Sequence, residues 1–433
     1  MSTGLPARRA ALAALTAVEE HGAWSNLAVP EAIGHLDQAQ DRAFASHLAY
    51  DTLRWEGTLD WALGQVLSRP LAEVEAPLRR VLRLGAVQLL RSGVPARAAV
   101  DTCVSLAREQ VPAERATGAG GFVNGVLRAL DRRRDGLPWP DAATEPVAHL
   151  ALTTGHPRWV VSDLHVRFGH RRTAAILAAD NDPPGLTLRS VGERDPLVEE
   201  LRAEGLDATA GCHPQAVRVP GGDPRRLTAV QQGRAVPQDE ASMHVVDACQ
   251  VTAGQRVLDL CAGPGGKTSA LAQLAGPDGR VVAVELHAHR ADMVRRTVAR
   301  LGLEVDVLVG DATDPQTVGE ARFDAVLVDA PCTGLGTGRR RPEVRWRKRA
   351  TDPADLAVVQ RRLLERAALQ LRPGGRLIYA VCTWTAEETD RVADHLDSVA
   401  AGRLEPGSRR QLLPDRDGTD GMFIATWQRP ADE

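Results

Sequence analysis

The strongest constraint on this chain is an alternation that begins near residue 250. Short β-rich runs, Arg256 to Leu260, Val281 to Glu285, Val305 to Val309, Ala325 to Val328 and Leu377 to Val381, are separated by stretches with helical spacing. Strands divided in this way pair mostly in parallel and take helices on both sheet faces. The pattern predicts an α/β, Rossmann-like domain over 236–433, with Met422 to Trp427 available as a terminal strand.

Upstream the periodicity is different. Residues 1–140 carry apolar positions at helical spacing, as in Phe44 and Leu48, then Trp55, Leu59, Leu63 and Val66, and predict an all-α domain. Pro138, Pro140, Pro146 and Pro157 mark a linker. Over 141–235 the linker leads into a small α+β domain: a helix from Trp159 to Ala179, a turn at Asn181-Asp182-Pro183-Pro184, a strand from Leu186 to Val191 and a helix from Pro196 to Glu204. The chain is thus multidomain, and 43% hydrophobic residues over 433 positions exclude disorder of the whole.

Charge and cysteine content exclude further classes. A net charge of −3 gives no global positive field, so any basic patch must be local. Six scattered cysteines without a CxxC pair fit neither a disulfide scaffold nor a zinc ribbon, so no metal is expected and a reducing cytoplasmic compartment fits best. Ala10 to Val18 follows Arg8-Arg9 like a twin-arginine signal, but it runs directly into Glu19-Glu20 and reads as a first amphipathic helix. No run reaches the roughly 18–20 apolar residues that span a bilayer.

The turn after the first β run reads Cys261-Ala262-Gly263-Pro264-Gly265-Gly266-Lys267 and opens a helix. It is not a P-loop, whose first glycine would fall at Cys261, and it lacks the third glycine of a dinucleotide fingerprint. The second run ends in Glu285, placed to accept hydrogen bonds from both hydroxyls of a ribose, and the third leads to Asp311, where an acid can meet an adenine amino group. With Asp259 in the first run, these strand ends suit an adenosine without pyrophosphate, the arrangement expected for S-adenosylmethionine.

The fourth run leads through Asp329 to Cys332, and the fifth leads to Cys382. Two thiols beside a methyl donor fit one chemistry sharply. Cytosine carbon 5 is too weak a nucleophile to accept a methyl group unaided, but a thiolate adding at carbon 6 creates an enamine that can. A base must then remove the carbon 5 proton so that the thiolate leaves. Spacing alone does not say which thiol attacks.

The Cys261 to Lys267 run, Asp329-Ala330-Pro331-Cys332, the Cys382 motif, Gln238-Asp239-Glu240-Ala241-Ser242 and Asp420-Gly421-Met422-Phe423 together resemble the RNA 5-methylcytosine methyltransferases of the NOL/NOP/Sun type. Arg83-Leu84-Gly85-Ala86 and Gly121 to Arg128 resemble the NusB-like helical domain fused to the bacterial branch that modifies small-subunit (16S) rRNA. The resemblance covers nearly the whole chain. It implies that Cys382 is the nucleophile and Cys332 assists release, that Asp329 lies at the methionine end of the cofactor or against the base edge, and that Lys267 sits near target or cofactor. Three positions depart from the common family pattern: Val381 replaces a Thr, Gly263 an Ala, and Arg189-Ser190-Val191 lacks an Asn.

From Arg339 to Arg349, seven of eleven residues are basic, with Trp346 among them. Arg339, Arg340, Arg341 and Arg345 are therefore candidate phosphate contacts, and Trp346 or Trp384 a candidate stacking platform for an unpaired base. The expected partner is RNA, single-stranded or flipped out at the target, with a monomeric protein and no membrane. Two rivals stay open: the same chemistry on tRNA or another RNA, and a non-catalytic RNA-binding or antitermination module.

Overall fold

Apolar side chains at three- and four-residue spacing fold the first part of the chain into α1 (Leu5–Glu20), α2 (Ser25–Ile33), α3 (Ala39–Arg54), α4 (Glu56–Gly64), α5 (Ala76–Leu90), α6 (Ala96–Glu109), α7 (Ala116–Arg133), α8 (Pro146–Thr154), α9 (Arg158–Phe168) and α10 (His170–Asp180). This is a computed structural model that describes residues 4–431. Two units are distinguished: a helical one that runs to Asn181 and also contains Arg340–Arg349, and a sheet-bearing one comprising Asp182–Arg339 and the chain from Ala350 onward.

In the helical unit, α5 buries Val81, Leu82, Leu84 and Val87. A Cβ at Gly85 would stand 2.5 Å from Leu127, so the glycine lets α5 and α7 touch and joins the two motifs singled out in the sequence. The proline-rich stretch is not merely a linker. Pro146 opens α8, where a missing N–H leaves no helical hydrogen bond unmade. The helix expected from Trp159 to Ala179 is two helices, divided at Gly169, whose φ of +74° ends the first.

The sheet-bearing unit begins with β1 (Leu186–Ser190), α11 (Arg194–Ala203), β2 (Thr209–Ala210), β3 (Ala216–Val219), α12 (Thr228–Gln231) and β4 (Ala235–Pro237). Its four strands form a small antiparallel sheet in the order β2-β3-β1-β4. There follow α13 (Glu240–Cys249), β5 (Arg256–Asp259), α14 (Gly266–Ala275), β6 (Arg280–Glu285), α15 (Ala288–Arg300), β7 (Asp306–Val309), α16 (Pro315–Val318), β8 (Phe323–Asp329), the short α17 (Val344–Arg347) within the helical unit, α18 (Asp352–Leu369), β9 (Leu371–Val381), α19 (Asp390–Val399), β10 (Glu405–Leu412) and, after a short turn, β11 (Met422–Gln428).

The large sheet has the order β10-β11-β9-β8-β5-β6-β7. Its five strands from β9 to β7 are parallel, and β11 and β10 add antiparallel. Alternation along the strands feeds two cores. Leu258, Val326, Val328, Leu377 and Tyr379 pack with α18 and α19, while Val257, Leu327, Ile378 and Ala380 pack with α13 and α14. The strand order reverses between β5 and β8, and in such sheets the crevice beyond that switch is the binding place.

The basic run corrects an expectation. Arg345 is 1% exposed; its guanidinium donates to Asp180 Oδ2 at 2.6 Å, the Asp180 carbonyl at 2.8 Å and Asn181 Oδ1 at 2.7 Å. His156 Nε2 lies 3.1 Å from the same Asp180 oxygen. Burial works against the Asp180 charge, yet Arg345 and His156 hold its carboxyl below the ordinary range. Burial and then Arg345 push His156 down to about 4, so the ring stays neutral. Trp346 donates from Nε1 to the Leu53 carbonyl at 2.7 Å and lies against Gly57, where a Cβ would come within 2.5 Å of the indole. Arg347 closes the end of α1 through the Val18 and Ala23 carbonyls, each at 2.7 Å. Arg345 and Trp346 therefore serve the interior of the helical unit rather than an open RNA face, because buried carbonyls and a carboxylate already use their donors.

Removing one member of a buried ion pair strands the other. Arg345→Ala is expected to lower the unfolding free energy by about 3–5 kcal/mol, read from urea denaturation. A loss below about 1 kcal/mol would mean that Asp180 does not depend on this pair.

Candidate active site

Five parallel strands deliver their carboxyl ends to one edge of the large sheet. Asp259 ends β5, Glu285 ends β6, Asp311 stands two residues beyond β7, Asp329 ends β8, and Cys382 follows β9. Register steps them by two residues along that edge: Asp259 pairs with Ala283 and Leu327, two residues before Glu285 and Asp329, which in turn pair with Val309 and Ala380, two residues before Asp311 and Cys382.

The glycine turn is built around the Glu285 carboxylate. Glu285, 4% exposed, accepts from the Gly263 N–H at 3.1 Å and the His287 N–H at 3.2 Å. Arg290 donates to the Gly263 carbonyl at 2.8 Å and flanks Glu285 at 3.5 Å. A Cβ at Gly263 would fall 2.4 Å from Glu285 Oε2, so the alanine common in related turns would have to push this carboxylate aside. Gly265, with φ of +99°, caps α14. Ala262, Pro264 and Gly266 complete the turn; Ala262 bonds the Val284 carbonyl at 3.0 Å. Asp311 is exposed, and its carboxylate accepts from the N–H and hydroxyl of Thr313, each at 2.8 Å.

Asp259 lies beneath this turn, buried, and accepts from the Thr268 hydroxyl at 2.7 Å. Burial pushes its carboxyl up to about 6, with Asp329 adding to the rise and Thr268 opposing it. Lys267 Nζ meets Asp329 Oδ2 at 2.7 Å. Burial disfavours the ammonium, but Asp329 outweighs it and holds Lys267 above its ordinary range.

Cys332 and Cys382 bring their sulfurs within 3.3 Å of each other. The Cys332 thiol is pushed well above its ordinary range, first by its hydrogen bond with Cys382 and then by burial, so it keeps its proton. Cys261 is raised as well, by burial and then the charges of Asp259, Asp329 and Glu285, and remains a thiol. The pair therefore offers one sulfur that holds a proton and another that can share it.

Of the predicted RNA contacts, Trp384 is 1% exposed, so its ring offers no open face for stacking. Arg339 is 8% exposed and donates to the carbonyls of Asp182, Gly418 and Thr419. Arg345 and Trp346 are within the helical unit, as are the half-buried Arg340 and Arg341, of which Arg341 lies over the Trp24 ring. Sequence reasoning missed Glu388, a fully buried acid bonded to the residues that follow both cysteines. Its signal, an acid six residues beyond Cys382, is indistinguishable in sequence from the acids that favour a helix start.

Among the described residues, His213, His244 and Asp247 are a group that could hold a cation. The Gln215 N–H donates to His213 Nδ1, which leaves the proton on Nε2, 2.9 Å from Asp247. That proton makes the contact a hydrogen bond and occupies the lone pair a metal would need.

Residues 247–428 match the family model for 16S rRNA methyltransferase RsmB/F, residues 5–132 that for the NusB family, and residues 156–223 that for the ferredoxin-like domain of RsmF/B-like methyltransferases. The chain is 33% identical to the probable ribosomal RNA small subunit methyltransferase B of Bacillus subtilis, over 98% of each sequence. The crystal structure of PH0851 superposes with a TM-score of 0.87 at 24% identity, covering 99% of this chain and 100% of that one. NSun6 from Pyrococcus horikoshii with SFG is similar in fold, with a TM-score of 0.58 at 19% identity over 64% of this chain and 99% of that one. No helix among the described residues is long and apolar enough to cross a membrane.

Because Asp259 binds its proton more tightly folded than unfolded, its contribution to stability falls as pH rises from about 4 to about 6. Asp259→Asn lacks this slope. Its stability relative to the parent protein should improve between pH 4 and pH 7, measured by paired urea titrations; a constant difference would contradict the raised carboxyl.

Proposed function

We propose that this chain, which belongs to the 16S rRNA methyltransferase RsmB/F family, methylates carbon 5 of a cytosine in small-subunit ribosomal RNA through a covalent adduct on Cys382. It is an S-adenosylmethionine-dependent RNA methyltransferase. The cytosine, the adduct and the rRNA target are our reading. The observation that carries this reading is the 3.3 Å approach of Cys332 and Cys382, beside the Lys267–Asp329 pair at the switch of strand order.

The residues present fit the cofactor. Glu285 is a buried carboxylate at a strand end, with the glycine turn held against it by the Gly263 N–H. In our reading it takes the ribose hydroxyls, Asp311 the adenine amino group, and the backbone from Cys261 to Lys267 the remainder, with Asp329 at the methionine end. When bound, S-adenosylmethionine supplies an electrophilic methyl group on a sulfonium.

The chain's own work is on the base. The Cys382 thiolate forms a bond to carbon 6 and makes carbon 5 electron-rich. After carbon 5 is methylated, its proton must go to a base. The C–H electron pair then restores the C5–C6 double bond, the S–C6 bond breaks, and sulfur leaves as thiolate. Cys332, which holds its own proton beside that sulfur, assists this release. Lys267, kept charged by Asp329, is placed to stabilise negative charge on the base. A paired cytosine is closed to attack, so the target is unpaired or flipped. Arg340 and Arg341 are the members of the basic run we retain as phosphate contacts.

Incubation with labelled S-adenosylmethionine and unmodified small-subunit rRNA should yield 5-methylcytidine by nucleoside mass spectrometry. Cys382→Ala should abolish both product and covalent complex, while Cys332→Ala should accumulate a denaturant-stable protein–RNA adduct. The reverse pattern would exchange the two roles. Methylation of tRNA alone would keep the chemistry and replace the substrate.

A further inference from the structure

The thiol pair is not held by its strands alone. The ladder between β8 and β9 closes with the Ala330 N–H on the Ala380 carbonyl at 3.0 Å, and both chains then enter loops. Glu388 lies between those loops with no exposed surface. One carboxylate oxygen accepts from the Thr333 N–H at 2.7 Å and Gln360 Nε2 at 3.2 Å. The other accepts from the hydroxyls of Thr333 at 2.6 Å, Thr385 at 2.8 Å and Thr383 at 3.3 Å. These five donors are neutral, and together they replace the water that a carboxylate loses on burial.

The positions of these donors give the arrangement its meaning. Thr333 follows Cys332, Thr383 follows Cys382, and the two hydroxyls are 2.9 Å apart. Gln360 also donates to the carbonyl of Pro331, which precedes Cys332. The Tyr379 hydroxyl lies 2.6 Å from the Glu388 carbonyl and 3.0 Å from Gln360 Oε1. The Cys332 loop is thus gripped on both sides of its sulfur. Cys382 has a second hold that does not involve that loop, since it directly follows β9, whose last residue Val381 is paired with Phe423 of β11.

We propose that Glu388 is a positioning residue that sets the separation of Cys332 and Cys382 by holding Thr333 and Thr383, without touching RNA or cofactor. The inference rests on the reading of these thiols as partners in adduct formation and release. Its consequence is asymmetric. Loss of Glu388 frees the Cys332 loop more than Cys382, so adduct release suffers while adduct formation proceeds.

The variants separate hydrogen bonding from charge. In Glu388→Gln the amide oxygen can still take the Thr333 N–H and Gln360, and its NH2 faces hydroxyls that can turn and accept. Glu388→Ala leaves the Thr333 N–H without a partner. Two readouts apply to the full-length protein. The first is bridging of Cys332 to Cys382 by a trivalent arsenical, phenylarsine oxide, mapped by peptide mass spectrometry without RNA. The second is single-turnover formation and release of the RNA adduct.

Glu388→Ala is expected to slow bridging and adduct release by about tenfold or more, with adduct formation within about threefold, and Glu388→Gln to stay near the parent protein. Should Glu388→Ala not fold, Thr333→Val removes one hydroxyl and should slow bridging and release in the same direction. A folded Glu388→Ala or Thr333→Val that bridges and releases at the parent rate overturns the proposal. If no adduct forms even with Cys332→Ala, the catalytic reading fails, while the bridging rates still decide whether Glu388 sets the spacing.

Discussion

The parallel pairing of β8 with β5 on one side and β9 on the other decides where every reactive group can stand. Asp259 pairs with Leu327 and Asp329 with Ala380, so the loops after β5, β8 and β9 leave one edge of the sheet, with β5 ending two residues before β8. From that edge Asp329 stands at the strand end itself, Cys382 one residue on, Cys332 three residues on, and Lys267 is brought back to Asp329 by the glycine turn. A slip of one residue in any of these strands would turn Asp329 or Cys382 toward the opposite face, because side chains alternate along a strand. Apolar packing on both faces prevents that slip, through Val326 and Val328 on one side and Leu327 on the other.

Buried charge is handled differently in the two units. In the helical unit Asp180 is matched by a guanidinium, and a neutral histidine shares the same oxygen. In the sheet-bearing unit Glu388 is surrounded by an N–H, three hydroxyls and an amide, with no cation among them. An ion pair resists removal of either partner. A carboxylate held by hydroxyls fixes geometry through many directed bonds, which suits a place where two loops must be kept in register. Arg189 is the cationic counterpart: 1% exposed, it donates to Gln238 and Ser269 and to the Gln273 amide oxygen, and burial lowers its pKa to about 10. At this position of altered family pattern, a buried polar contact is therefore present without the asparagine.

Much of this was legible in sequence. The parallel strands announce themselves as short apolar runs, and the acids and cysteines at their ends stand at fixed distances from those runs. What escaped has physical reasons. The edge strand β10, Glu405 to Leu412, is mostly exposed, so neither face imposes an apolar alternation. The small strands β2, β3 and β4 span at most four residues each and are too short for periodicity to register. The basic run misled because composition counts charges and not acceptors: carbonyls and one carboxylate brought from distant sequence bury the cations of Arg339 and Arg345. Glu388 escaped for the converse reason, since its donors come from three separate stretches of the chain.

The ten residues from Arg340 to Arg349 carry one more implication, for how such a protein can be taken apart. The chain crosses between the two units three times, so no single cut separates them. A fragment ending at α10 would lack the arginine that matches Asp180 and the indole that lies against Gly57. Transplanting the helical unit onto another enzyme would mean carrying this decapeptide with it, and shuffling by simple end-to-end fusion would break both products. A boundary that looks like one hinge in the linear sequence is a chain path that leaves the helical unit, returns to it for ten residues and leaves again.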